Sequence, residues 1–184
     1  MKFMDDVLMI NDDIFNESFD RVIGHEGLFQ NDYNDRGNWT SGVIGKGNLV
    51  GTKYGIAAMT YPDLDIKNLT ADQAKEIYHQ DWWVKLGMDQ FRPALSYQMF
   101  DAAINHGMHN ATRMLQRAAN TVDDGAIGPN TLAAVRGLEL NDALFLFLAE
   151  RLEFFTDIST FSRYGRGWSR RIANNLRLAA VDNN

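Results

Sequence analysis

Apolar side chains recur at helical spacing along most of this chain, and one glycine-rich stretch near the start interrupts them. Phe15, Phe19, Val22 and Ile23 follow the possible caps Asn11, Asp12 and Asp13 and run up to Gly27, which predicts a first helix over about residues 13 to 26. From Gln30 to Gly51 the pattern changes to Asn, Asp and glycine (Gly37, Gly42, Gly45, Gly47, Gly51), with Trp39, Val43, Ile44, Leu49 and Val50 between them. This is the mark of turns and short hairpin strands. Helical spacing then resumes: Thr70 and Gln73 form a capping box ahead of Ala74, Ile77, Tyr78, Trp82 and Leu86, with a stop at Gly87. Pro93 opens a helix from Ala94 to His106 that Gly107 closes, Asn110 caps Ala111 to Asn120, and Pro129 opens a short helix to Val135 after the Asp124-Gly125 turn. Asn141 or Asp142 caps a long apolar helix to Phe155, and Trp168 to Val181 forms the last one. The sum is an α+β fold, mainly α, with a small β-hairpin region near the N-terminus.

Composition narrows the chemistry. The 184 residues hold no Cys, which excludes thiolate nucleophiles, disulfides and cysteine-based zinc or iron–sulfur sites. The longest apolar run, Ala143 to Ala149, is far short of the roughly 20 residues a membrane span needs. The first residues have no signal-type apolar core, so synthesis in the cytoplasm without an export signal is expected. Net charge is −6, and its distribution is uneven: Phe161 to Val181 carries Arg163, Arg166, Arg170, Arg171 and Arg177 and no acid. An acidic chain is a poor nucleic-acid binder, so any polyanion contact falls to that tail. On an amphipathic helix, with Trp168, Ile172 and Leu176 four apart, those arginines suit anionic outer-membrane lipid or lipopolysaccharide. Equally, they suit a solvated outer face on a helix that closes the core.

Glu26 is the sharpest feature. It ends the stripe Phe19, Val22, Ile23, Glu26 at i, i+3, i+4 and i+7, which must face inward. Desolvation and the negative end of the helix dipole would both raise its pKa, as the proton donor in glycosidic cleavage requires. Otherwise it is a frayed helix end whose carboxylate meets water. Asn31, Asp32, Asn34 and Asp35 follow; they offer either a second, ionised carboxylate, Asp35 or Asp32, or simply a turn built from Asx residues. A calcium loop fails because Arg36 and Val43 stand at ligand positions. The four histidines make no zinc pattern, and no serine-hydrolase, P-loop or dinucleotide motif is present. Trp39, beside the carboxylates, is a candidate for stacking on a sugar, whereas Trp82 belongs to a core face.

Several stretches together resemble one family: Phe19 to Gly27, Asn31-Asp32-Tyr33-Asn34-Asp35, Gly51-Thr52-Lys53-Tyr54-Gly55-Ile56, Tyr61 to Asp65, Phe100 to Gly107, Asp124-Gly125-Ala126-Ile127-Gly128-Pro129 with Thr131, and Phe161 to Arg171. In that order they are similar to the phage and bacterial N-acetylmuramidases with a Glu-Gly-Gly-Tyr type signature, glycoside hydrolase family 108, which carry a peptidoglycan-binding segment. Leu28-Phe29 replaces the usual Gly-Tyr, and Trp39 to Val50 is a longer stretch than the family shows.

The resemblance implies a single lysozyme-like domain, with a catalytic part over about 12–92 and a helical peptidoglycan-binding part over about 93–181 that shares its core. It implies an endolysin that hydrolyses the β-1,4 bond between N-acetylmuramic acid and N-acetylglucosamine, lyses the bacterial wall and needs no cofactor or metal. Glu26 becomes the general acid, Asp35 the second carboxylate and Thr52 the residue that positions water. Tyr54 and Asn105 line the cleft beside Trp39. Peptidoglycan is then the partner, nucleic acid is not, and a holin-type pore must release a monomeric enzyme to the periplasm. A lytic transglycosylase, in which one Glu suffices, and a non-catalytic wall-binding protein are the competing readings. A carboxyl separation of about 6.5 to 9.5 Å would mean inversion and about 5 to 5.5 Å retention.

Overall fold

The computed structural model describes residues 13–23 and 28–183, and within them the mainly helical fold with a small antiparallel β pair is observed. Asn11, Asp12, Glu26 and Gly27 lie outside the described residues. The chain divides into two compact units, one from Phe15 to Asp81 and one formed by the chain from Trp82 onward with Asp13 and Ile14.

In the first unit, α1 (residues 13–22) buries Phe15, Ser18 and Phe19, and Ile23 donates its N–H to the Phe19 carbonyl as the last turn closes. The Phe19 ring meets Tyr78 edge-on at 5.7 Å and the Phe15 ring meets His79 at 4.7 Å. Its apolar stripe therefore docks on α2 (Ala71–Tyr78), which starts with the expected Thr70–Gln73 capping box.

The region expected to hold hairpin strands from Gln30 to Gly51 contains only two isolated bridges, Gln30 to Thr52 and Trp39 to Leu49, and one short 3₁₀ turn, Arg36–Asn38. Side chains rather than a ladder hold it: the Thr40 hydroxyl accepts from Asn48 N, and the Ser41 hydroxyl donates to the Lys46 carbonyl. The regular pair lies just beyond, β1 (Thr52–Lys53) against β2 (Ile56–Ala57). Its two-residue turn, Tyr54-Gly55, has both φ values positive, +52° and +75°, the backbone twist that tight hairpins demand.

α2 does not continue as an α-helix to Leu86. His79–Val84 is a π-turn, whose extra residue per turn rotates the following side chains, so that Trp83 rather than Trp82 is fully buried. Its indole N–H donates to Asp89 at 2.8 Å.

The second unit is built on α3 (Pro93–His106), buried all round from Ala94 to Ala103. α4 (Met108–Ala118) begins directly at Gly107, three residues before the expected start, and Asn110 lies inside it. α5 (Pro129–Arg136) and α6 (Leu140–Asp157) follow close to expectation. α7 (Phe161–Asp182) starts seven residues before the expected Trp168, because Gly165 and Gly167 do not stop it. Gly165 sits under the Phe161 ring, where a Cβ would meet ring carbons at 2.8 Å, so close packing outweighs poor helix propensity. No helix among the described residues is long and apolar enough to cross a membrane.

At the centre of this unit lies a buried ionic cluster. Asp101 of α3 accepts from Arg151 of α6 at 2.5 Å, from Arg171 of α7 at 2.7 Å and from Asn175 of α7 at 2.7 Å. Burial would raise the Asp101 carboxyl, but the positive charges and donors of Arg151 and Arg171 hold it below its ordinary value. His106 sits against the Phe154 and Phe155 rings, with Arg151 Nε 3.5 Å from its Nε2. Burial, then the Arg151 charge, push its pKa down to about 4. A histidine that takes up protons more readily unfolded than folded contributes stability that is complete above about pH 6.5 and is lost as pH falls toward 4. After discounting for solvent screening of a partly exposed ring, that loss is on the order of 1–2 kcal/mol. Urea unfolding at pH 7.5 and 5 is expected to show the drop, and His106→Asn to flatten it.

Candidate active site

Glu26 lies outside the described residues, and two of the candidates that follow it, Asp35 and Thr52, stand at the ends of one hydrogen-bonded chain. Gln30 pairs with Thr52 through backbone bonds of 2.9 and 2.8 Å. This crossing depends on Gly51, whose φ is +102° and whose absent Cβ would lie 2.6 Å from the Gln30 carbonyl and from the Phe29 ring. The Thr52 hydroxyl donates to Asn38 Oδ1 at 2.7 Å, Asn38 Nδ2 to Gln30 Oε1 at 2.7 Å, and Gln30 Nε2 to Asp35 Oδ2 at 3.1 Å. The direction is forced. An ionised Asp35 only accepts, so Gln30 must present its NH₂ there and its carbonyl to Asn38, and Asn38 must present its own carbonyl to Thr52. The other Asp35 oxygen accepts from Gly37 N at 2.8 Å, capping the 3₁₀ turn. Asp35 itself stays exposed and reachable.

Thr52 thus spends its proton on Asn38, which leaves its lone pairs to accept from a water molecule. Asp35, fixed by two donors at the far end of the same chain, is an exposed anion with lone-pair capacity still open.

Asn38 and Gln30, which link Thr52 to Asp35, are the members of this chain that sequence reasoning missed. Asn38 is 0% exposed, donates also to the Asp32 carbonyl and accepts Val50 N and Gly51 N on its backbone carbonyl. It joins the Asx-rich turn to the strand that carries Thr52. Asn38→Ala removes its side-chain bonds to Thr52, Gln30 and the Asp32 carbonyl and leaves partners unsatisfied, so a loss of roughly 2–3 kcal/mol is expected in urea unfolding, together with reduced turnover. Asn38→Asp is expected to fare no better, since its carboxylate would face the Gln30 and Asp32 carbonyl oxygens.

The aromatic candidates fall into different places. Trp39 is only 7% exposed; its indole N–H donates to the Tyr33 carbonyl at 2.9 Å and its ring meets Tyr33 edge-on at 5.0 Å. The exposed ring here belongs to Tyr33, which is 54% exposed. Tyr54 is half-buried at the hairpin turn; its carbonyl accepts from the Tyr78 hydroxyl at 3.0 Å, and burial pushes that phenol up to about 12. Asn105 is exposed on α3 in the other unit and donates to the Asp101 carbonyl at 2.6 Å. In the tail, Arg163, Arg166, Arg170 and Arg177 are exposed, whereas Arg171 is engaged with Asp101.

The first unit thus sets an exposed carboxylate among polar donors beside a short β pair, within a mainly helical fold. Residues 19–107 match the family model of glycosyl hydrolase 108, and residues 110–173 match that of a predicted peptidoglycan domain. The first segment is thus similar to glycosyl hydrolase 108 and the second to a peptidoglycan domain, and together they support a glycoside hydrolase that acts on peptidoglycan. Among solved structures it is similar to Brucella abortus SagA, with 27% identity, a TM-score of 0.76, and coverage of 92% of this chain and 95% of that one. No curated protein matches it. The two family segments meet near Gly107, whereas the compact units meet at Asp81 and Trp82, so α3 belongs to the hydrolase segment yet anchors α6 and α7 of the peptidoglycan segment through Asp101.

Proposed function

We propose that this chain is a muramidase that hydrolyses the β-1,4 bond between N-acetylmuramic acid and N-acetylglucosamine, acting as an endolysin in phage-driven lysis. The observation that carries this reading is the one-way hydrogen-bond chain from Thr52 through Asn38 and Gln30 to Asp35. Glu26 protonates the leaving glycosidic oxygen. Asp35 either activates water or stabilises positive charge on the sugar, and Thr52 accepts a hydrogen bond from the attacking water. The helical segment over 110–173 holds the wall while the glycan is cut. Reaching periplasmic peptidoglycan then depends on a pore formed by another protein. The exposed Arg163, Arg166, Arg170 and Arg177 are the residues for any contact with anionic lipid.

The test is mass spectrometry of soluble muropeptides released from purified Gram-negative peptidoglycan. Reducing N-acetylmuramic ends are the expected product. 1,6-Anhydro ends would make the protein a lytic transglycosylase instead, and no release would leave a wall-binding protein.

A further inference from the structure

A cleft of about 250 Å³ opens between α4 and α6, wholly inside the peptidoglycan segment. Asn110, Arg113 and Arg117 line it from one face of α4 at i, i+3 and i+7; Glu150, Glu153, Phe154 and Asp157 line it from one face of α6 at i, i+3, i+4 and i+7. At one end the two walls are tied together by Arg117 Nε to Glu150 at 2.6 Å, and Asp123, in the loop after α4, takes Arg117 Nη1 at 3.1 Å. Arg113 binds Asp123 through Nε and Nη2, and its Nη1 takes no part in that pairing.

The other end is electrostatically unbalanced. Glu153 and Asp157 are exposed, like-charged and one helical turn apart, and they stand in the last turns of α6, where the helix dipole is negative. Among the described residues neither carboxylate has a cation paired to it. A ligand ammonium would relieve both repulsions. A carboxylate on the same ligand would meet Arg113 Nη1 across the cleft, and Phe154 offers apolar surface to the carbons between. At about 250 Å³ the space lies below the usual range for drug-sized ligands, and it suits an amino acid rather than a disaccharide.

Within peptidoglycan the glycan strand carries no ammonium, whereas the stem peptide carries carboxylates and, on an uncross-linked diamino acid, an ammonium and a carboxylate on one carbon. We propose that the α4–α6 cleft binds the zwitterionic end of that diamino acid, so that the helical segment reads the peptide of the wall while the first unit addresses its glycan. This rests on peptidoglycan as the partner.

The experiment is calorimetric titration of the full chain with a soluble uncross-linked stem tetrapeptide that contains a zwitterionic diamino acid, and with a matched stem that contains lysine, which lacks the second carboxylate. The zwitterionic stem is expected to bind several-fold more tightly than the lysine stem. Glu153→Lys combined with Asp157→Lys, both on the surface, is expected to weaken it at least tenfold. Hydrolysis of peptide-free glycan strands by that variant should be unchanged. No binding of the zwitterionic stem, equal affinity for both stems, or unaltered affinity in the variant would overturn the proposal. Stem binding by a protein that releases no reducing ends would instead overturn the muramidase reading alone.

Discussion

Replacing Glu26 by Gln is expected to cut the release of reducing ends by about 10²- to 10⁴-fold, the range that a positioned proton donor contributes. The amide keeps the size of the side chain but has no acidic proton to give to the glycosidic oxygen. The midpoint of thermal unfolding should stay within a few °C of wild type, since the amide matches the carboxyl in size and leaves no cavity. Product release measured by reducing-sugar assay, beside circular dichroism of the same sample, checks both. Wild-type turnover in the variant would remove Glu26 from catalysis. Asp35→Asn is the companion: a hydrolase that uses a second carboxylate should lose most of its activity, whereas a transglycosylase working with one Glu should retain it. The amide carbonyl of that variant can still accept from Gly37 N and hold the 3₁₀ turn, but its NH₂ would face the Gln30 Nε2 donor, so Gln30→Ala, which breaks the chain and keeps the charge, separates the two causes.

The largest effect on stability is expected at Asp101. Asp101→Asn removes the anion that, among the described residues, is bonded to Arg151, which is 0% exposed and whose Nη1 already lacks a partner. Breaking a buried pair from one side leaves an uncompensated charge, and the cost is about 3–5 kcal/mol. For a chain of this size that corresponds to a fall in Tm of roughly 10 °C or more. The double variant Asp101→Leu with Arg151→Met is expected to recover only part of it, because it removes the desolvation cost of the two fully buried charges but leaves Arg171 and the buried Asn175 amide without their acceptor. If the single variant melts like wild type, the cluster does not hold α3 to α6 and α7 in solution.

The α1 stripe of Phe15, Phe19 and Ile23, the Thr70 capping box and the Pro93 and Pro129 helix starts were legible in the sequence, because each is a local rule that its own few residues satisfy. The π-turn at His79–Val84 was not legible, since an i, i+3, i+4 pattern reads the same whether or not one turn gains a residue. Trp39 stood in a polar turn, where sequence cannot say whether a ring points in or out; the structure buries it and exposes Tyr33. Asn38 looked like one more turn residue, and its role arises only because Gln30 and Thr52, far apart in sequence, meet on either side of it.

Glu26 and Asp101 show where local pattern ends. Glu26 closes an apolar stripe, a costly place for a charge that signals a purpose, and that much the sequence determined by itself, whereas no local pattern singled out Asp101 or its partner Arg151. The sequence also determined the helical class of the fold, the glycine-rich turn and the family resemblance. Which purpose a charge serves depends on what stands opposite it. Only the tertiary structure decided that Asp101 and Arg151 face each other across α3 and α6 in a buried pair, because the energy of a buried charge is set by partners distant in sequence.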